Sequence, residues 1–512
     1  MGSRVNRHLG SVLPELFTAQ PPAAAALSVA GGLPEELSAE PSGDAAAAAG
    51  RPVLPPEFNW RDYTVMLLHT AAEIEHSLMV QYLFAAYSLG GPNVPTELRE
   101  PVRRWQEIIL GIAKEEMGHL VTVQNLLTAL GAPLNLDRED YPWGSAFYPF
   151  PLTLRRLGLG SLATYICAES PADWSGDEAD EIRELATQSG DGTPVNRVGA
   201  LYRRLDAILA DRDRIPDTAF QERTLPYQAS WDEWGRGYTR GERGQDSGNV
   251  PDVRSPKLLI LGVFSRDSAR KALHDIGEQG EAFGVGPFGS FSMFPESQET
   301  SHFERFLSVY REMKELTGGD PSQAVRPVAD NPRTGMQLDQ DEPDTAAMTG
   351  TRTNVITHPV AALWGHLFNL RYRMLLVDLA HAFRLTGPLD DGTTLTARGT
   401  LIHRAFAEMY NLRAVAGKLV ALPLTEDGTD GTNGTNGEHA GPPFEMPYTL
   451  DLPVHEYDRW LLQRDLVEAS QLLVAQLRHS GAAPEDPYLV ALEQTDELAL
   501  DLIQGILSTN RE

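Results

Sequence analysis

A single cysteine, Cys167, is all the thiol chemistry available to this chain of 512 residues. No internal disulfide can form and no thiolate cluster can be built, which points to a reducing compartment or simply to thiol-free chemistry, and any metal must be held by histidine and carboxylate. Positive charge is also scarce: 43 Lys and Arg stand against 71 Asp and Glu, a formal net charge of −28. Phosphate-backbone binding and adhesion to anionic membranes are therefore poor matches, and neither nucleic acid nor membrane is an expected partner. No apolar run approaches the ~20 residues that a membrane helix needs. No sustained apolar/polar alternation marks a strand either, apart from room for a short hairpin in the middle of the chain, so a cytoplasmic, all-α protein is expected.

What is present begins with an unusual N-terminus. Residues 1–55 read as a flexible tail, because Pro21 to Gly50 is mostly Ala, Pro, Gly and Ser. Arg4 and Arg7 precede an apolar patch as in a leader peptide, but Glu15 and Pro21-Pro22 interrupt the run that a leader requires. From Phe58 onward helical spacing dominates. A first long helix is expected over Asp62–Leu89, stopped by Gly90-Gly91-Pro92, and a second from Thr96 or Glu97 to Gly131. After an irregular crossover with a helical stretch at Val198–Ala210, a third should run from Asp267 to about Phe283 and a fourth from Gln298 to Leu316. Further helices are expected at 360–385, 396–420, 455–479 and 487–507. These elements suggest a bundle with crossover insertion over 56–320, buttressing helices and loops of the same domain over 321–450, and a C-terminal helical hairpin over 451–512.

The chemistry sits on four of these helices. Glu116-Met-Gly-His119 places a carboxylate and an imidazole three residues apart in the apolar middle of the second helix, hence on one buried side. Glu299-Thr-Ser-His302 repeats the device ahead of the apolar row Phe306, Val309 and Met313. Glu75 lies on the apolar face of the first helix, beside Leu68, Ala72, Met79 and Tyr82, where a lone charge is costly unless a cation compensates it. The third helix offers Glu278 and Glu281, of which Glu278 is the favoured permanent ligand and Glu281 an exchangeable, catalytic one. A third Glu-x-x-His, Glu73-Ile-Glu-His76, lies on a polar face with His69, Thr70 and Ser77 and is set aside. Glu75, Glu116, His119, Glu278, Glu299 and His302 thus form the order Glu, Glu-x-x-His, crossover, Glu, Glu-x-x-His by which four-helix carboxylate proteins bind two metals. Oxygen-rich ligands with one imidazole per ion suit two iron ions, with manganese as the alternative. Tyr82 is a candidate relay or supporting phenol, and the aromatic loop from Phe283 to Phe294 a candidate substrate mouth. Asp378-Leu-Ala-His381, near Arg371, Arg373 and Arg384, reads as a surface ion-pair cluster.

The sequence resembles the ferritin-like superfamily, and more narrowly the ferritin-like domain of the iminophenyl-pyruvate dimer synthases of violacein-type pathways. The resemblance runs from about Phe58 to Pro447 and is carried by Ile276-Gly-Glu-Gln-Gly-Glu281, Ser301-His-Phe-Glu-Arg-Phe306, Asn331-Pro332, Leu367-Phe-Asn-Leu-Arg-Tyr372 and Ala440-Gly-Pro-Pro-Phe444. Glu75 with Tyr82, and Glu278 with Glu281, also resemble the first and third helices of rubrerythrin-like proteins. The resemblance implies a ferritin-type bundle and oxidative chemistry on an imine derived from an aromatic 2-oxo acid. The expected function is therefore an O2-dependent dinuclear-iron oxidase or oxygenase of secondary metabolism, acting on a small aromatic or amino-acid-derived substrate. A ferroxidase or iron-handling protein without organic substrate is the alternative. A monomer or small homo-oligomer fits the enzyme, and a shell of many subunits fits storage.

Overall fold

The structure is a computed structural model, and it describes residues 54–138, 149–190, 192–234, 258–281, 300–335, 353–387, 395–426, 438–480 and 486–509. The chain divides into two compact units, Met1–Val325 and Arg326–Glu512. The division groups residues 326–450 with the C-terminal helices, whereas the sequence reading attached 321–450 to the bundle.

In the first unit, α1 (Trp60–Ser88) starts where Asn59 accepts the Asp62 amide at 3.0 Å, and it ends ahead of Gly90 and Gly91. Helix α2 (Arg99–Ala129) follows a single 3-10 turn and runs back along α1, as so short a connection requires. The crossover then contributes α3 (Leu159–Ala168), α4 (Asp177–Ser189), α5 (Gly199–Leu209) and the single turn α6 (Trp231–Trp234). Helices α7 (Arg266–Glu281) and α8 (His302–Leu316) complete the unit. Rather than passing outside the bundle, the crossover packs into it: α5 lies on α7 and α1, and α3 lies on α8. The α3 segment is only ten residues long and mostly apolar, and it is buried from Ser161 to Ala168.

Helix α8 begins four residues later than the expected Gln298. Ser301 accepts the Glu304 amide while the Glu304 carboxylate accepts the Ser301 amide, a reciprocal cap that makes His302 the first helical residue. His302 therefore sits at the very start of its helix, whereas His119 lies deep inside α2, and Glu299 lies outside the described residues. So do the Phe283–Phe294 loop and residues 1–53.

The second unit holds α9 (Pro359–Ala382), α10 (Ala397–Leu419), α11 (Glu456–His479) and α12 (Pro487–Thr509), each within a few residues of expectation. Two short parallel strands, β1 (Pro332–Arg333) and β2 (Asn354–Val355), belong to this unit, and no hairpin occurs among the described residues of the crossover. One polar residue from each helix meets in its core: Arg371 donates to Glu408 at 2.9 Å and also to Ser470 and Asp496. Asp378 and His381 are fully buried and not a surface cluster, since Asp378 pairs with Arg404 at 3.4 Å and His381 with Glu456 at 2.9 Å. No helix among the described residues is long and apolar enough to cross a membrane.

Candidate metal centre

Two groups of donor atoms, each within 4.8 Å of one another, converge among the described residues: Glu75, Glu116 and His119, and then Glu116, Glu169 and His302. Glu116 is common to both. Its Oε2 lies 2.8 Å from His119 Nδ1, and its Oε1 lies 2.9 Å from His302 Nδ1. Glu75 Oε2 stands 3.2 Å from His119 Nδ1, and Glu169 Oε1 stands 3.9 Å from His302 Nδ1. All five side chains are buried, and the two imidazole rings stack with centroids 5.4 Å apart.

The elements account for these positions. Glu75 and the Glu116/His119 pair come from the facing apolar sides of α1 and α2, as the spacing predicts. His302 is delivered by the cap of α8. Glu169, which the sequence reading missed, is the residue that ends α3, immediately after the apolar run Tyr165-Ile-Cys-Ala168. Its carboxylate packs so close to α7 that a Cβ at Gly280 would stand 2.8 Å from Glu169 Oε2. The only signal for it in the sequence was a carboxylate closing an unbroken apolar stretch, with no histidine three residues on.

Two phenols cap the outer carboxylates. Tyr82 donates to Glu169 Oε1 at 2.7 Å, and Tyr202, from α5, donates to Glu75 Oε1. Neither nearby carboxylate lets a phenolate form, so burial and these charges hold both hydroxyls well above the usual tyrosine range. Behind the histidines stand Gln279, whose Oε1 is 2.8 Å from His119 Nε2, and Glu115, whose Oε2 is 3.1 Å from His302 Nε2. Glu115 also pairs with Arg305. Burial alone would raise the Glu115 carboxyl, but the Arg305 charge and His302 bring it down to about 2.

Helix α7 departs from expectation. Glu278 belongs to neither donor group, its Oε1 has no hydrogen-bond partner among the described residues, and burial pushes its carboxyl up to about 7, with Asp275 adding to the rise. The glutamine between the two acids, rather than Glu278, turns toward His119. Glu281 accepts the Gly199 amide at 2.7 Å and lies 3.4 Å from both Arg197 and Arg203. Burial raises its carboxyl to about 7 against the pull of those two guanidinium groups. Glu73 and His76 are buried as well, although their helix face is polar, because Asn135 donates to Glu73 at 3.0 Å and the fully buried Arg138 lies near His76.

The donor set fits two metal ions. Glu115 and Gln279 offer acceptors to the outer Nε2 atoms, so the imidazole protons belong there and both Nδ1 lone pairs point at carboxylate oxygens. Lone pair facing lone pair is repulsive unless a cation lies between them. Glu116 Oε1 and His302 Nδ1, though 2.9 Å apart and buried, make no hydrogen bond with each other or with any described residue. Without metal, protons must fill the same role. Burial and Glu116 together raise the Glu75 carboxyl to about 8, while Glu116 and Glu75 overcome burial to raise His119 to about 10. A small cavity with room for about one water molecule adjoins the cluster, lined by Glu75, Glu116, His119 and Glu169 together with Leu78, Val198, Ile276 and Glu281.

A family model described as Ferritin-like matches residues 68–311. Dichlorochromopyrrolate synthase of Lentzea aerocolonigenes is 28% identical over 421 residues, covering 75% of this chain and 36% of that protein, so the chain spans little more than a third of that relative's length. A ferritin-like protein from Caulobacter vibrioides aligns with a TM-score of 0.37 at 16% identity, over 71% of this chain and 97% of that one. Glu75, Glu116, His119, Glu169 and His302 all fall within the matched residues, and the chain carries a ferritin-like domain.

Proposed function

We propose that the protein is an O2-dependent dinuclear-metal oxidoreductase of secondary metabolism, with iron the favoured ion and manganese the alternative. Its substrate would be a small aromatic or amino-acid-derived molecule of the imine or 2-oxo acid type. The observation that carries this reading is the sharing of Glu116 between two donor groups that each add one carboxylate and one imidazole. Three carboxylates against two divalent ions leave a buried charge of only about one unit. Two ions held by Glu75, Glu116, His119, Glu169 and His302 would supply the redox chemistry that side chains lack.

The chain's own residues then have distinct tasks. Tyr82 and Tyr202 fix the outer carboxylates by hydrogen bonds, Tyr202 at the Glu75 oxygen turned away from His119 and Tyr82 at the Glu169 oxygen nearest His302. Leu78, Val198 and Ile276 give the adjoining cavity an apolar wall. Glu281 lines the same cavity, and with its carboxyl near neutrality it would hold or release a proton beside a bound substrate while Gly199 and the two arginines keep it in place. The likeness to dichlorochromopyrrolate synthase, a protein named for making a secondary metabolite, supports the substrate class.

The reading is tested by loading the protein with iron(II) under anaerobic conditions, then adding O2 and a panel of aromatic 2-imino and 2-oxo acids. Mass spectrometry should find an oxidised or coupled product from at least one of them. Consumption of O2 with iron alone, unchanged by every organic acid, would instead favour the iron-handling reading.

A further inference from the structure

The two imidazoles are held from behind by side chains of different charge. His302 Nε2 lies 3.1 Å from a Glu115 oxygen, and His119 Nε2 lies 2.8 Å from the amide oxygen of Gln279. Adjacent positions on α2 make this arrangement: Glu115 and Glu116 are about 100° apart around the helix, so one faces α8 while the other faces the cluster. Arg305, three residues into α8, pairs with Glu115 and keeps that buried carboxylate ionised and in place. An ionised carboxylate only accepts, so it fixes the His302 proton at Nε2 and draws on it strongly, which makes the opposite nitrogen a better electron donor. An amide oxygen fixes the same tautomer in His119 but draws more weakly.

We propose that Glu115 and Gln279 are the positioning residues of His302 and His119, and that their unequal charge makes the Glu116–Glu169–His302 group bind a divalent metal ion more tightly than the Glu75–Glu116–His119 group. This rests on the dinuclear reading above. The consequence is stepwise filling: the α8 side first, the α7 side second. Neither residue lies in the donor groups themselves, and each acts only through the ring it holds.

The test is a titration of the metal-free, full-length protein with cobalt(II) under anaerobic conditions, followed by calorimetry and by the visible absorption of the bound ion. Wild type should show two resolved steps. Glu115→Gln should weaken the tighter step by about 10- to 100-fold and leave the weaker one in place, and Glu115→Asp should restore the two-step curve. Gln279→Glu should tighten the weaker step so that the two merge, a gain that structural damage cannot produce, and this variant decides the matter if Glu115→Gln does not fold. Two equal steps in wild type, or variants whose curves match a two-step wild type, would overturn the proposal while leaving the dinuclear reading intact. A wild type that takes up no cobalt overturns both.

Discussion

Glu116 faces two histidines at once, and that single fact separates a shared centre from a chance cluster of buried acids. Its two oxygens lie 2.8 and 2.9 Å from two different Nδ1 atoms. The outer carboxylates differ in how well the sequence announces them. Glu75 stands out because every helical neighbour is apolar, whereas Glu169 stands at the end of a buried helix whose apolar residues hide its register. Glu278 shows the converse: it occupies the sequence position of a ligand, but a helix presents only part of its surface to a given neighbour, and here Gln279 takes that part. The account therefore expects Glu169→Ala to cost one metal ion per chain and Glu278→Ala to cost none, as read by elemental analysis of loaded and desalted protein. Equal retention by both variants would remove Glu169 from the site.

At the scale of elements, a glycine in α7 links helix geometry to the centre. Alanine at Gly280 should favour the helix by about 1 kcal/mol through backbone propensity, yet its Cβ would meet Glu169 Oε2 at 2.8 Å. Gly280→Ala is thus expected to leave the melting temperature of the metal-free protein unchanged or raised while lowering its metal content, a combination that general destabilisation does not give. The helices themselves were largely legible, because 3.6-residue spacing and glycine stops mark α1, α2, α7 and the four helices of the second unit. What was not legible follows from physics the spacing does not encode. The reciprocal cap at Ser301 and Glu304 overrode the apparent start of α8, and α3, at ten residues, is too short to repeat a face clearly.

Helix α9 carries a prediction about acidity. Burial raises the Asp378 carboxyl to about 6 in the folded chain from 3.8, with Arg404 only partly offsetting it. The folded state holds that proton more tightly than the unfolded state, so the associated stability is fully present below pH 3.8 and is lost as pH rises through about 6. The loss is of the order of 3 kcal/mol. Asp378→Asn cannot ionise, so its stability relative to wild type should grow from about pH 4 to about pH 7. Hydrogen exchange of α9 and α11 across that range measures the gap, and a gap independent of pH would contradict the assignment.

For the whole molecule, helix spacing says little about which helices pack together, and this is why it suggests a line at 320, close to Val325, but not that 326–450 groups with the C-terminal helices. All five proposed ligands lie in the first unit, so bound metal should raise amide protection in α1, α2, α3 and α8 and leave α9 to α12 as they were. Protection rising equally in the second unit would place a metal, or a strong coupling, there.

The most direct test of the central claim is the metal content of protein loaded with iron(II) under anaerobic conditions and then desalted. The account predicts two ions per chain for wild type, one for His119→Ala and one for His302→Ala, and none firmly held by the double variant. A wild type that holds no more than one ion, or a double variant that still holds two, would contradict it.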